Sequence, residues 1–292
     1  CHVLCVDAVT GAFKWGLDLV RDFGCKEPLW YTGQCPLIDG STAIIAPGGK
    51  ALMMGVDCES GRVVWQIPNP RNWKMSHSSI LPTTFAGRRM YVYCALGGMV
   101  GVSADGKDLG SVLWETTEWN HAVVAPSPVF PGDGRIFATA GYGAGSAMYG
   151  LAEERGGLSV KRLFTLDRKV FASEQHTPIY YRGRLYSVLP NDGEDMRRQL
   201  VCMDPNGKVL WASGKENRFG LGPVLAADDK IFVLNDEGVL TMARASGDRY
   251  VQLAQAKVLN GRDSWGPMAM VNGELLLRDS GRMICLDLRA GR

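Results

Sequence analysis

Residues 55–65 read GVDCESGRVVW, a short apolar strand that ends in an acidic turn with glycine and is followed by a tryptophan four residues later. The same order recurs three more times with small variations in the turn. The recurrences are CVDAVTGAFKW at 5–15, VSADGKDLGSVLW at 102–114 and CMDPNGKVLW at 202–211. One local pattern repeated along a chain predicts a repeat protein.

A second pattern repeats in register with the first. In it, a proline begins a short apolar run that ends at Gly or Asp. Successive prolines are 44 to 50 residues apart. They are Pro36, Pro82, Pro128, Pro178, Pro223 and Pro267. A period in the forties is typical of four-stranded propeller blades.

One repeat divides into four extended segments, at 34–38, 42–46, 51–57 and 62–67, with turn residues between them. Such a sheet is apolar on both faces, so blades must stack and cover one another. No amphipathic pattern of ten or more residues predicts a helix. We therefore predict an all-β fold, a β-propeller of four-stranded antiparallel blades. The chain, residues 1–292, is expected to be one domain that covers about six blades, with an incomplete N-terminal blade.

The repeated turn and tryptophan are assigned a structural role. On the outermost strand of a blade, the indole would lie across the adjacent blade with its N–H reaching a loop carbonyl, while the turn holds the strand in register. The residues given this role are Asp7, Gly11, Trp15, Asp57, Gly61, Trp65, Gly106, Trp114, Asp204, Gly207 and Trp211.

Composition excludes several function classes. The 292 residues carry 32 basic and 30 acidic side chains, a net charge of +2, so no nucleic acid is implied as a partner. No run of 18 apolar residues occurs, so no transmembrane segment is predicted. With 46% hydrophobic and 21% charged residues, the chain can bury a substantial core.

The eight cysteines do not form the spacing of a disulfide framework. Cys5, Cys202 and Cys285 occupy the same position in three repeats and are predicted to be core residues. Cys25 and Cys35 are the best candidates for a disulfide, and whether they are bridged is left open.

The pattern Asp-x-x-(Thr/Ser)-Gly-x-x-x-Trp resembles the tryptophan-docking motif of the pyrroloquinoline-quinone (PQQ)-like β-propeller repeat family, with the best matches at 7–15 and 57–65. That family includes PQQ-dependent dehydrogenases and BamB, a lipoprotein of outer-membrane assembly. The resemblance covers the chain unevenly, because the repeats at 151–164 and 242–250 lack the tryptophan. It implies a periplasmic or secreted protein of the cell envelope.

The resemblance also bears on blade number. Family propellers typically have eight blades, so the chain resembles the C-terminal three-quarters of one, and we expect an incomplete eight-bladed protein. The alternative is a six-bladed ring in which residues 12–19 complete the last blade.

Catalytic residues are not predicted. Family dehydrogenases bind PQQ with an adjacent cysteine pair and Ca²⁺, and this sequence contains no Cys-Cys pair. The acidic loop at 191–195 lacks the spacing of a calcium loop. Neither PQQ, Ca²⁺ nor another metal is expected as a cofactor. His77, His121 and His176 each precede a first-strand proline, but no Cys or carboxylate recurs beside them to support a metal site.

Every connection that leads into a first strand carries a large aromatic ring. These rings either seal the core under the loops or form a binding face with their polar neighbours. The candidate binding residues are Trp30, Tyr31, Asn72, Trp73, His77, Trp119, Asn120, His121, Phe171, His176, Phe219 and Trp265. The binding interpretation would fail if Trp73 and Trp119 were fully buried and this face offered no concavity.

The sequence is compatible with two functions. The first is a non-catalytic scaffold of the cell envelope that binds a protein or peptide partner on the aromatic-bearing face. The alternative is a PQQ/Ca-dependent or sugar-directed oxidoreductase-like protein.

Overall fold

A computed structural model describes residues 1–217 and 219–289 and contains seven antiparallel sheets. The helical segments in these residues are short: α1 (Leu19–Phe23) and two 3₁₀ turns at Gly106–Asp108 and Glu194–Met196. None of the described helices is long and apolar enough to cross a membrane. The all-β prediction is confirmed.

The strands follow one another as meanders, which we number as sheets 1 to 7 in chain order. Sheet 1 contains β1 (His2–Val6) and β2 (Phe13–Asp18). Sheet 2 contains β3 (Leu37–Asp39), β4 (Thr42–Ile45), β5 (Ala51–Asp57) and β6 (Val63–Pro68). Sheet 3 contains β7 (Leu81–Phe85), β8 (Arg88–Ala95), β9 (Gly98–Ser103) and β10 (Val112–Thr116). Sheet 4 contains β11 (Val129–Gly132), β12 (Arg135–Ala140), β13 (Gly145–Glu154) and β14 (Gly157–Leu166).

The remaining three sheets repeat this plan. Sheet 5 contains β15 (Ile179–Tyr181), β16 (Arg184–Val188), β17 (Leu200–Met203) and β18 (Val209–Ala212). Sheet 6 contains β19 (Val224–Ala227), β20 (Lys230–Leu234), β21 (Val239–Arg244) and β22 (Gln252–Lys257). Sheet 7 contains β23 (Ala269–Val271), β24 (Glu274–Arg278) and β25 (Met283–Asp287). Four-stranded sheets predominate, as the repeat predicts, and the first and last sheets have two and three strands.

The chain divides into two compact units. Unit 1 comprises Cys1–Ala138 and Ala147–Phe164, and unit 2 comprises Thr139–Ser146 and the residues from Thr165 onward. That the whole chain forms one domain stays a prediction.

The fourth strand of a sheet places its tryptophan opposite a small residue of the third strand. Gly55 pairs with Trp65 and Gly101 with Trp114. A Cβ atom on either glycine would overlap the Nε1 atom of its partner's indole ring. Glycine is required here because the ring lies flat across the neighbouring backbone.

Where the opposite residue is cysteine instead, the indole reaches the next sheet. Cys5 pairs with Trp15, whose Nε1–H donates to the Cys58 carbonyl in sheet 2 at 2.8 Å. In unit 2, Cys202 pairs with Trp211, whose Nε1–H donates to the Ser246 carbonyl in sheet 6 at 2.8 Å. Both bonds leave one sheet and end on the turn between the third and fourth strands of its neighbour.

Trp65 and Trp114 make other contacts. The ring of Trp65 stacks on Tyr91 in sheet 3, with centroids 6.2 Å apart. The Nε1–H of Trp114 points to the Sδ atom of Met90 in its own sheet, at 3.3 Å. The expectation that every one of these indoles reaches a loop carbonyl is therefore wrong for Trp114, whose N–H faces a methionine sulfur instead.

The cysteine expectations hold only in part. Cys202 is buried between sheets 5 and 6, but Cys5 is half-buried and Cys285 is exposed, so Cys285 is not a core residue. Cys25 is buried and Cys35 is exposed, and both are free thiols. The candidate disulfide is therefore not formed in this structure.

Candidate functional site

The connections into the first strands of unit 1 are tied to one another by hydrogen bonds. The Cys35 N–H donates to Ser79 Oγ at 3.0 Å, and the Ser79 N–H donates to Ser127 Oγ at 3.0 Å. His77 belongs to the same set of bonds, since its N–H donates to the Val124 carbonyl and its Nδ1 accepts from the Gly33 N–H. These bonds hold neighbouring connections in place, so His77 links loops.

Four of the predicted binding rings are buried. Trp73 is 5% exposed and Trp119 is 2% exposed in unit 1, and Phe171 and Phe219 are buried in unit 2. A Cβ atom on Gly97 or Gly98 would overlap the Trp73 ring. The binding interpretation is therefore wrong for these four residues, which seal the core under their loops.

The connection histidines are neutral packing groups at physiological pH. Burial lowers the pKa of His77 and of His121, and the His121 ring lies edge-on to Trp119 at 4.3 Å. Burial lowers the pKa of His176 from 6.5 to about 4. In the described part of the chain, no group of three or more His, Cys, Asp or Glu side chains has the geometry to hold a metal ion.

A small cavity lies beside His176 in unit 2. It has a volume of about 10 Å³ and is lined by Ser173, Glu174 and Ser187 among others. That is room for about one water molecule. Burial raises the pKa of Glu174, with the nearby charge of Asp192 as a further cause. The cavity is too small for an organic ligand.

The acidic loop in unit 2 is an ion-paired surface segment. Asp192 lies 3.6 Å from Arg168, and Asp195 lies 3.0 Å from Lys215. An open cleft of about 450 Å³ is lined by Glu194, Asp195, Arg197, Gln199 and Lys215. Its charges of both signs and its open form indicate a solvated face.

The remaining predicted residues are exposed. Asn72 and Asn120 are exposed beside buried Trp73 and Trp119, and the Asn72 N–H closes a turn onto the Asn69 carbonyl at 3.0 Å. Trp265 in unit 2 is 43% exposed.

The most exposed aromatic group lies in the first long connection of unit 1. Leu29, Trp30 and Tyr31 are 65%, 59% and 74% exposed, and we call these three consecutive residues the aromatic tip. Trp30 and Tyr31 have φ angles of 62° and 68°, and the Tyr31 N–H donates to the Pro28 carbonyl at 3.1 Å. Leu29 was missed at the sequence level, although its place between Pro28 and two aromatic residues is a signal for an exposed turn.

Comparisons of the sequence and of the structure with known proteins agree with the repeat pattern. A family model described as outer membrane protein assembly factor BamB matches residues 2–195. Among solved structures, the crystal structure of BamB from Moraxella catarrhalis superimposes with a TM-score of 0.63 at 16% sequence identity, covering 97% of this chain and 75% of that one. No curated protein matches the sequence. The structural likeness confirms the β-propeller fold.

Proposed function

Because the chain belongs to the BamB family of outer membrane protein assembly factors, we propose that it is a non-catalytic β-propeller scaffold of the periplasm that binds a protein partner. The partner proposed is another protein of the outer-membrane assembly machinery. The contact surface proposed is the aromatic tip. Trp265, in unit 2, is 43% exposed and is proposed as a further aromatic contact.

The exposure of the aromatic tip carries this proposal. Three consecutive large apolar side chains, each more than half exposed, lose favourable burial unless another molecule covers them. Two aromatic rings of about 150–250 Å² each supply a large part of the roughly 800 Å² that one partner contributes to a stable interface. Tryptophan and tyrosine are also the residues most often found at interface hot spots.

The backbone of the aromatic tip favours the same role. A positive φ is uncommon for residues other than glycine, and two in succession set the directions of the Cα–Cβ bonds of Trp30 and Tyr31. The hydrogen bond from the Tyr31 N–H to the Pro28 carbonyl closes the turn that holds them. A preformed tip loses less conformational entropy on binding than a mobile loop would.

A photocrosslinking experiment tests the surface. A benzoylphenylalanine crosslinker replaces Tyr31 in the native host, and the control protein carries it at Val9, which is 93% exposed on the turn of sheet 1. We expect a discrete product from position 31 that mass spectrometry identifies as an outer-membrane assembly protein, and no such product from position 9. Equal products from both positions, or none from position 31, would contradict the proposed surface.

A second experiment tests the function. The W30S/Y31S double variant should lower the amount of folded outer-membrane β-barrel protein, measured by heat-modifiable migration on gels, while V9S should not. Exposed side chains contribute little to stability, so the thermal unfolding of both variants should stay close to wild type. A double variant that supports full β-barrel levels would refute the proposal.

A further inference from the structure

An open groove lies between sheets 2 and 3 in unit 1. It has a volume of about 340 Å³, and its walls are largely apolar. Leu52, Ile67, Trp73, Gly110 and Val112 line it. The groove contains no residue of the aromatic tip.

The same position between sheets 5 and 6 is filled by a tyrosine ring. Tyr250 lies against Trp211 with centroids 6.0 Å apart and against Phe219 at 6.2 Å. Trp211 and Phe219 are eight residues apart, as are Trp65 and Trp73, so the two pairs occupy equivalent places in the repeat.

Backbone pairing identifies the residue that replaces Tyr250. The Arg244 N–H donates to the Val251 carbonyl at the end of sheet 6, and the Ser103 N–H donates to the Ser111 carbonyl at the end of sheet 3. The residue before Val251 is Tyr250, and the residue before Ser111 is Gly110. Gly110 is therefore the counterpart of Tyr250.

Gly110 lies beside Trp65 of sheet 2, at the position where an aromatic side chain would contact that tryptophan. A Cβ atom there would be 3.2 Å from the Cε3 atom of Trp65 and 3.7 Å from Cγ2 of Ile67. Because glycine has no side chain, the space that Tyr250 fills in the other pair of sheets is left as the groove.

Three of the polar side chains at the groove, Arg71, Glu115 and Asn69, already make hydrogen bonds. Arg71 Nη2 lies 2.5 Å from Glu115 Oε1, so the two charges at the rim neutralise each other. The Asn69 side chain donates to the Gly49 and Trp73 carbonyls and accepts from the Trp73 N–H. A neutral ring is complementary to the largely apolar walls, which offer an ionised group no replacement for its hydration.

We propose that this groove binds the tyrosine or phenylalanine side chain of a partner polypeptide, with the ring against Gly110 and beside Trp73, as Tyr250 lies against Trp211 and Phe219. The site is independent of the aromatic tip and of its proposed role. It adds a ring-specific contact to unit 1.

Methyl NMR on the wild-type protein tests the site without any substitution. The probe is N-acetyl-L-tyrosinamide, and N-acetyl-L-leucinamide is the control ligand. We expect ring currents of the tyrosine probe to shift the methyl resonances of Leu52, Ile67 and Val112, and these shifts to reach a plateau as the probe concentration rises. The methyls of Val64, which is 57% exposed on the same strand as Ile67, should not shift.

A matched pair of variants tests the groove itself. V112W fills it from β10, and V64W adds the same side chain at an exposed position outside it. V112W should weaken binding of the tyrosine probe at least about tenfold, and V64W should leave it unchanged. The proposal would be overturned if the two variants bound the tyrosine probe equally well, or if the wild type bound the leucine control as well as the tyrosine probe. Shifts that rise linearly with probe concentration and spread over the surface methyl groups would also overturn it.

Discussion

The Gly101→Ala substitution tests the requirement for a small residue opposite the fourth-strand tryptophan. The added Cβ atom would overlap Nε1 and Cε2 of Trp114, which is 4% exposed. Since the backbone of β9 is held on both sides, the indole must move. Exposing about half of a ring that buries roughly 200 Å² removes about 100 Å² of contact, which at about 25 cal/mol per Å² corresponds to about 2.5 kcal/mol.

Denaturant unfolding followed by tryptophan fluorescence measures this loss. Gly157→Ala is the matched control, because Gly157 starts β14 and no atom lies within 4 Å of its Cβ position. We expect G101A to lower the free energy of unfolding by about 2–3 kcal/mol and G157A to change it by less than about 0.5 kcal/mol.

A double variant separates the overlap from other effects of alanine in a strand. In a Trp114→Leu background the ring is gone, so Gly101→Ala should be much less destabilising than in the wild type, and the two changes should not add. Additive effects, or equal stabilities of G101A and G157A, would refute the explanation.

Three further outcomes follow from the structure. Trp211→Phe removes the donor to the Ser246 carbonyl and should destabilise unit 2 by about 1–2 kcal/mol in denaturant titrations; a variant as stable as wild type would contradict that role. Because burial lowers the pKa of His176 to about 4, the unfolded chain binds more protons than the folded one between pH 6.5 and 4. The free energy of unfolding should therefore decline as the pH falls through this window, and His176→Phe should flatten the decline. Parallel pH profiles of the variant and the wild type would contradict this. Incubation with PQQ and Ca²⁺ followed by gel filtration should leave no quinone absorbance on the protein, and retained absorbance would favour an oxidoreductase.

The fold was predictable because its signals are local. A proline, a tight acidic turn and a tryptophan each act within a few residues, so their spacing predicted the meanders, although the segment expected at 34–38 is β3 at Leu37–Asp39. Residues 51–57, for example, form β5 as expected. The residue opposite each indole in the third strand becomes visible only once the register is known, and two indoles opposite glycine, Trp65 and Trp114, still make different contacts.

The candidate site was less predictable because exposure depends on distant residues. Trp30 and Trp73 both lie in connections, yet one is exposed and the other buried. Trp73 is buried because Gly97 and Gly98 leave room for it, and they are more than twenty residues away in sequence. Cys285 shows the same limit: it matches Cys202 in the repeat, but its strand has no buried residue.

The hydrogen bonds from Trp15 and Trp211 to the next sheet both end on a backbone carbonyl. The accepting residues are Cys58 and Ser246, and the turns around them share little sequence. A hydrogen bond to the main chain is retained when the side chain of the accepting residue is substituted, since every amino acid has the same carbonyl oxygen. Different copies of the repeat can therefore carry different turn sequences and keep the attachment of one sheet to the next.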